Sequence, residues 1–174
     1  MRAIALDFIL CFFIVDQLTK WVMIEQYFKP AGAGLSFIDW FVTAQNRLPY
    51  VRDEITSFFN LVMVWNKGVS FGLMAGDGTA NMIFLIALAS VIALVFGYWI
   101  MRQKTLMPMI AGSLVVGGAL GNIADRLRFG AVADFLDFHA YGYHFPAFNV
   151  ADSCITIGIG LVIIHNLFDR QKTK

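Results

Sequence analysis

Few charged residues and many apolar ones distinguish this chain from soluble domains. It has 174 residues, of which 59% are hydrophobic and 14% charged, with a mean hydropathy of +0.69 and a formal net charge of +1. Soluble domains carry roughly 25% charged residues, so this composition favours a polytopic membrane protein. The near-zero net charge gives no reason to expect a nucleic-acid partner.

Four segments are predicted to span the membrane, at about residues 3–27, 79–101, 106–124 and 150–168. The second has no charged residue, whereas the first carries four. The third is rich in Gly and Ala, which let helices approach closely, so we expect it at the centre of the helix bundle. We interpret residues 1–174 as one integral-membrane domain of mainly α class.

The segments that join these spans differ in length and charge. Short basic ones, around Arg102 and in the tail from residue 170, predict that both termini are cytoplasmic. The longer segments, 28–78 and 125–149, then face outward. In the first, SFIDWFVT (36–43) and SFFNLVMVWNKGVSFGL (57–73) resemble strands, which predicts a small extracytoplasmic β-sheet on the membrane surface, with Trp40 and Trp65 at the interface. The second is predicted to be a periplasmic loop or helix.

Several polar residues stand where a membrane makes them costly, because a charge at the bilayer centre costs about 2.5–3.5 kcal/mol on insertion scales. In DQLTK, Asp16 and Lys20 share one helix face, as an interfacial ion pair or as part of a site. In NKGVSF (66–71), Asn66 and Gly68 form either an ordinary turn or a polar contact with close backbone approach.

The end of the third span is also polar. Asn122, Asp125 and Arg126 follow a small-residue face in GGALGNIADR. They fit a helix terminus with local hydrogen bonds, or a charged cluster in which the arginine keeps a carboxylate ionised.

Two carboxylates flank the aromatic segment that follows. Asp134 lies in AVADFLDF and Asp152 in FNVAD, where Asn149 stands about one helical turn earlier. If the chain folds back, the two acids meet and share a proton, because both cannot ionise cheaply when close. Such a pair can hydrolyse a peptide bond without a metal or cofactor; the alternative is that both are structural. The sequence has no HExxH or paired-cysteine pattern that would indicate zinc.

Two other functions remain open on these residues. A small proton-coupled transporter would use Asp16, Lys20 and Asp152 as a relay. A non-enzymatic assembly subunit would tolerate Asp→Asn at both Asp134 and Asp152.

Five motifs in order, from DQLTK through NKGVSF, GGALGNIADR and VADF to FNVAD, span about residues 16–156 and resemble the lipoprotein signal peptidase (signal peptidase II) family of bacteria. The segment between the first two motifs is longer than we expect for the family. NKGVSF also has Val and Ser where the family often shows Ala.

The resemblance implies an aspartic endopeptidase of the bacterial inner membrane with four transmembrane helices and its active site near the periplasmic face. Its substrates would be prolipoproteins, cut on the N-terminal side of a diacylglyceryl-modified cysteine among membrane lipids, and globomycin-type inhibitors would block it. Asp134 and Asp152 would be catalytic. The supporting positions would be Asp16, Lys20, Asn66, Gly68, Asn122, Asp125, Arg126 and Asn149, with Gly118 as a small position that admits substrate.

Overall fold

The computed structural model describes residues 2–43, 46–68 and 79–172. Five α-helices and four strands follow one another in the order α1 (Arg2–Trp21), α2 (Phe37–Val42), β1 (Val51–Thr56), β2 (Phe59–Asn66), α3 (Thr79–Ile100), α4 (Leu106–Phe129), β3 (Val132–Ala140), β4 (Tyr143–His144) and α5 (Val150–Lys172). A π-helical turn, Val22–Tyr27, directly continues α1. Residues 69–71 of the NKGVSF motif lie outside the described residues.

Three helices of the described residues are long and apolar enough to cross a membrane: α3, α4 and the Val150–Phe168 part of α5. The expected central position of α4 is confirmed, because 72% of its most apolar window is buried, against 11% for α3 and 17% for α5. The prediction of a mainly helical membrane protein with a small antiparallel sheet is therefore confirmed. The fourth span, α1, stays a prediction.

The chain divides into two compact units, each described by itself. The helical unit comprises Met1–Asp16, Ala87–Asn122 and Val150–Lys174, and the sheet unit comprises Gln17–Ile86 and Ile123–Asn149.

In the helical unit, glycines of α4 and α5 let neighbouring helices come close. A Cβ built at Gly117 would lie 2.9 Å from the carbonyl oxygen of Ile9 in α1. One at Gly158 of α5 would lie 2.6 Å from the carbonyl oxygen of Ala111 in α4. Since such distances exclude any side chain, Gly117 of α4 and Gly158 of α5 are what permit these contacts.

The sheet unit is built on an antiparallel sheet in the order β1-β2-β3-β4. Val64 of β2 faces Asp134 of β3 in this register. A buried cluster of Ile24, Trp40, Met63, Phe129 and Ala133 forms its core.

Two predictions of local structure were wrong. Residues 37–42 form α2 rather than a strand, since Ser36 accepts a hydrogen bond from the Asp39 backbone N–H (3.2 Å) and caps the helix. Trp40 is consequently fully buried in the core of the sheet unit rather than placed at a membrane interface. Residues 132–140, predicted as loop or helix, form β3, whose pairing with β2 supplies its backbone hydrogen bonds.

The helix α4 also extends further than its predicted end at residue 124. It continues to Phe129. Gly130 follows it with a φ of +69°, the left-handed conformation found directly after many helices. Asp125 and Arg126, which follow the predicted span, therefore lie within the helix, as Asn122 does.

Candidate active site

Asp134 lies on β3 and is 1% exposed. Its Oδ1 accepts a hydrogen bond from the Asn149 side-chain amide at 2.7 Å, and its Oδ2 accepts one from the Asn66 amide at 2.9 Å. The side-chain oxygen of Asn66 in turn accepts a hydrogen bond from the Gly68 backbone N–H at 3.0 Å. This turn orients the Asn66 amide, so three predicted residues meet around one carboxylate.

Asp137 belongs to a different environment, although it lies only three residues further along β3. Side chains three apart on a strand point to opposite faces of the sheet. The Asp137 carboxylate accepts a hydrogen bond from Asn60 (2.7 Å) and contacts Nδ1 of His144 (2.9 Å). Burial raises the pKa of Asp137, but the hydrogen bonds from Asn60 and His144 and the charges of His144 and His139 outweigh it, so the pKa is lowered overall.

Asp152 stands in the first turn of α5 and is partly buried. Its Oδ1 accepts a hydrogen bond from the Asn122 amide of α4 at 2.7 Å. Both residues lie in the helical unit. A carboxylate in this turn is favoured by the partial positive charge at a helix N-terminus.

Asp16 supports the same turn of α5 from α1. Its Oδ1 accepts a hydrogen bond from the backbone N–H of Ala151 at 2.9 Å. This N–H is among the first four of the helix, which have no partner inside it. Gly121 makes room for the contact, since a Cβ there would lie 2.2 Å from Oδ2 of Asp16.

Lys20 and Asp125 form a wholly buried ion pair in the sheet unit, with Nζ 2.8 Å from Oδ2 and no exposed side-chain surface on either residue. The Asp125 carboxylate also accepts hydrogen bonds from Gln17 (3.1 Å) and from the backbone N–H of Ala133 (3.2 Å). Because Ala133 directly precedes Asp134, the hydrogen bond from Ala133 to Asp125 fixes the start of β3, the strand that carries the Asp134 carboxylate.

Two residues around the Lys20–Asp125 ion pair, Gln17 and Arg128, were not predicted from the sequence. Gln17 lies inside the DQLTK motif, three residues before Lys20, and that spacing on one helix face is a usable signal. Arg128 lies over the Trp40 ring at 4.0 Å and donates a hydrogen bond to Gln17 Oε1 at 3.3 Å. No sequence pattern indicates this role, because the aromatic partner lies 88 residues away.

Gly118 and Arg126 are the remaining predicted positions. A Cβ at Gly118 would lie 2.4 Å from the carbonyl oxygen of Ala151, so this glycine allows α4 and α5 to pack closely beside Asp152. Arg126 is partly buried in the last turns of α4, and its carbonyl oxygen accepts the N–H of Gly130.

The structure therefore arranges the predicted residues in two groups. Asp134 with its two asparagine amides belongs to the sheet unit, and Asp152 with Asn122 belongs to the helical unit. The pairing of Asp134 with Asp152 stays a prediction. Among the described residues, no group of three His, Cys, Asp or Glu side chains is placed to hold a metal ion.

Known proteins resemble this chain over most of its length. A lipoprotein signal peptidase of Rickettsia felis is 38% identical over 160 residues, which cover 91% of this chain and 71% of that protein. One of Sphingopyxis alaskensis is 36% identical over 92% of this chain and 83% of that protein. One of Syntrophotalea carbinolica is 47% identical over 63% of this chain and 69% of that protein.

Solved structures also resemble this chain over most of its length. A bacterial membrane enzyme solved at 2.3 Å resolution superposes with a TM-score of 0.73 and 29% identity, over 99% of this chain and 92% of that one. A second, at 1.9 Å, gives a TM-score of 0.68 over 95% and 93%, also at 29% identity. The family described as Signal peptidase (SPase) II matches residues 8–168. The resemblance of the five motifs is thereby confirmed, and the chain belongs to the signal peptidase II family.

Proposed function

We propose that this protein removes signal peptides from bacterial prolipoproteins as an aspartic endopeptidase, with Asp134 and Asp152 as its catalytic pair. The bond that it cuts lies on the N-terminal side of a cysteine that carries a diacylglyceryl group. Membership of the signal peptidase II family supports the substrate class.

The observation that carries the choice of residues is the setting of the two carboxylates. Each accepts a hydrogen bond of 2.7 Å from an asparagine amide, Asp134 from Asn149 and Asp152 from Asn122. Amides held in this way orient a carboxylate without adding a charge beside it. Asp137, by contrast, is bonded to Asn60 and His144 on the other face of β3.

The proposed reaction is general acid–base hydrolysis. One carboxylate of the pair, ionised, removes a proton from the attacking water, while the other, protonated, donates a hydrogen bond to the scissile carbonyl oxygen. The protonated carboxylate then gives its proton to the departing amine. Neither role is assigned to one residue, because a close pair of carboxylates can hold a shared proton on either member.

The proposal also places the protein in the bacterial inner membrane with four spans. Helix α1 is the fourth span: its 20 residues are about 30 Å long, which suffices to cross the hydrocarbon. The charges of Asp16 and Lys20 do not oppose this, because both side chains are fully buried inside the protein. Basic residues near both termini place the termini in the cytoplasm, with the active site near the periplasmic face.

The lipid on the substrate cysteine is proposed to remain in the bilayer and to bring the scissile bond to the catalytic pair. Globomycin-type inhibitors would compete with this substrate. A precursor that lacks the diacylglyceryl group should therefore be cut much more slowly than its modified twin.

Purified variants with one oxygen of each carboxylate replaced test the pair. We expect Asp134→Asn and Asp152→Asn each to lower the rate of cleavage of a diacylglyceryl-modified precursor by about 100- to 10,000-fold, the usual contribution of general acid–base catalysis. Asp137→Asn is the matched control from the same strand and should keep most of the activity. Substantial turnover by either of the first two variants, with loss in the third, would show that the wrong carboxylate was chosen.

A further inference from the structure

A cavity of about 570 Å³ lies in the helical unit where α3 turns into α4 beside the start of α1. Its lining is apolar except for Tyr98 and Gln103. Its inner wall includes Ala5, Ile100 and Met109, which are 5%, 3% and 1% exposed and belong to one buried cluster. The cavity thus has a fixed apolar wall and a volume within the range of about 300–1,000 Å³ that is usual for ligand sites.

A basic side chain contacts the lining of this cavity, and a second follows two residues later in the same turn. Arg102 lies 4.8 Å from the centre of the Tyr98 ring and donates a hydrogen bond to its hydroxyl. Lys104 is exposed two residues later, and residues 101–105 contain no acid. The turn between α3 and α4 therefore carries two positive charges, one of which contacts Tyr98 of the cavity lining.

The acid closest in sequence to the cavity wall does not offset these charges. Asp7 follows Leu6 in α1, but at 100° per residue it points about 160° away from both Ala5 and Ile9, the other wall residues of that helix. Its carboxylate therefore faces away from the side of α1 that lines the cavity.

We propose that this cavity binds one acyl chain of an anionic phospholipid, whose headgroup phosphate contacts Arg102 and Lys104. An apolar slot between membrane helices, with cations at the depth of the headgroups, matches both halves of such a lipid. Zwitterionic lipids satisfy the slot but not the charge, so they bind more weakly.

This site is separate from the proposed active site. Met109, in the wall of the cavity, and Asn122, which holds Asp152, are thirteen residues apart on α4, or roughly 20 Å of helix. The inference therefore does not depend on the peptidase reaction, and its test needs no substrate.

Gly97 offers a way to close the cavity without disturbing the fold. It lines the cavity, and a Cβ built there meets no atom within 4 Å. Gly97→Leu should therefore fill the slot and leave α3 intact, since leucine is also a better helix former than glycine. Gly160→Leu on α5 is the matched control, because that position is equally open but does not line the cavity.

The experiment measures lipids retained by the full chain in detergent by native mass spectrometry, with dioleoylphosphatidylglycerol or dioleoylphosphatidylethanolamine added. The wild-type protein should retain one phosphatidylglycerol in preference to phosphatidylethanolamine. Gly97→Leu should weaken binding about 5- to 150-fold, since leucine takes up space that the acyl chain fills, and overpacking of this kind costs about 1–3 kcal/mol. Arg102→Gln should weaken phosphatidylglycerol binding about fivefold, the ratio for one cation near an anionic surface, and leave phosphatidylethanolamine unchanged.

The controls decide the outcome. Gly160→Leu and Arg52→Gln, an exposed arginine of β1, should bind phosphatidylglycerol as the wild type does. Equal binding of the two lipids by the wild type would overturn the anionic class. Unchanged phosphatidylglycerol binding by Gly97→Leu, or an equal loss in Gly160→Leu, would overturn the cavity as the site.

Discussion

Replacing Lys20 with methionine tests the buried ion pair most directly. Nζ of Lys20 lies 2.8 Å from Oδ2 of Asp125, and neither side chain has any exposed surface. Methionine keeps the unbranched apolar stem but removes the charge, which leaves the Asp125 carboxylate with two neutral donors, Gln17 and the Ala133 N–H. Removing one partner of a buried pair typically costs about 3–5 kcal/mol, because the other charge stays buried without compensation.

The size of this loss can be measured by thermal unfolding in detergent, followed by circular dichroism. For a chain of this length, 1 kcal/mol corresponds to about 2–4 °C, so Lys20→Met should lower Tm by roughly 6–20 °C. Arg52→Met is the matched control, since Arg52 pairs with Glu54 at 2.9 Å on the surface and such pairs contribute about 0–1 kcal/mol.

A double variant separates lost charge pairing from lost packing. Asp125→Asn in the Lys20→Met background removes the unpaired charge and keeps an oxygen acceptor, so it should regain a large part of the lost stability. The reasoning would be refuted if Lys20→Met melted at the wild-type temperature, or if the double variant were less stable than Lys20→Met alone.

Three further predictions concern the surroundings of the site. Asn122→Ala removes the donor to Asp152 and should lower kcat about 10- to 150-fold, the equivalent of one hydrogen bond to a charged group, with KM little changed; an unchanged kcat would contradict a positioning role. Gly118→Ala places a Cβ 2.4 Å from a backbone oxygen and should cost about 1–3 kcal/mol of unfolding free energy, whereas Gly160→Ala, with open space, should not destabilise the protein. Because the folded-state pKa of Asp137 is lowered, its stabilising contribution is present above the ordinary aspartate pKa and is lost as pH falls through the folded value. Asp137→Asn should therefore remove part of the acid sensitivity of Tm, and parallel pH profiles of the two proteins would count against this.

The sequence predicts elements well where the apolar pattern has one interpretation. The uncharged run of α3 is such a case, and so are the Gly- and Ala-rich residues that make α4 the buried helix. It fails where tertiary contacts decide. SFIDWFVT has strand-forming residues, but the Ser36 cap and the burial of Trp40 make it helical. Residues 132–140 become a strand because β2 is available as a partner.

The same distinction applies to the candidate site. The motifs supply the residue types, but not which amide meets which carboxylate. Asn66 and Asp134 are 68 residues apart, and Asn122 and Asp152 are 30 apart. Only the packing of strands and helices determines those pairs. The role of Arg128 over the Trp40 ring depends on such packing too, and its neighbours in sequence do not indicate it.

The hydrogen bond from the Ala151 N–H to Asp16 cannot form until late in the synthesis of the chain. Its two ends are 135 residues apart, which a ribosome takes roughly 7–27 s to synthesise at 5–20 residues per second. Until then the first turn of α5 has neither been made nor been capped. A nascent chain therefore carries Asp16 long before it carries Asp152, and the proposed mechanism predicts no cleavage activity until α5 has been made.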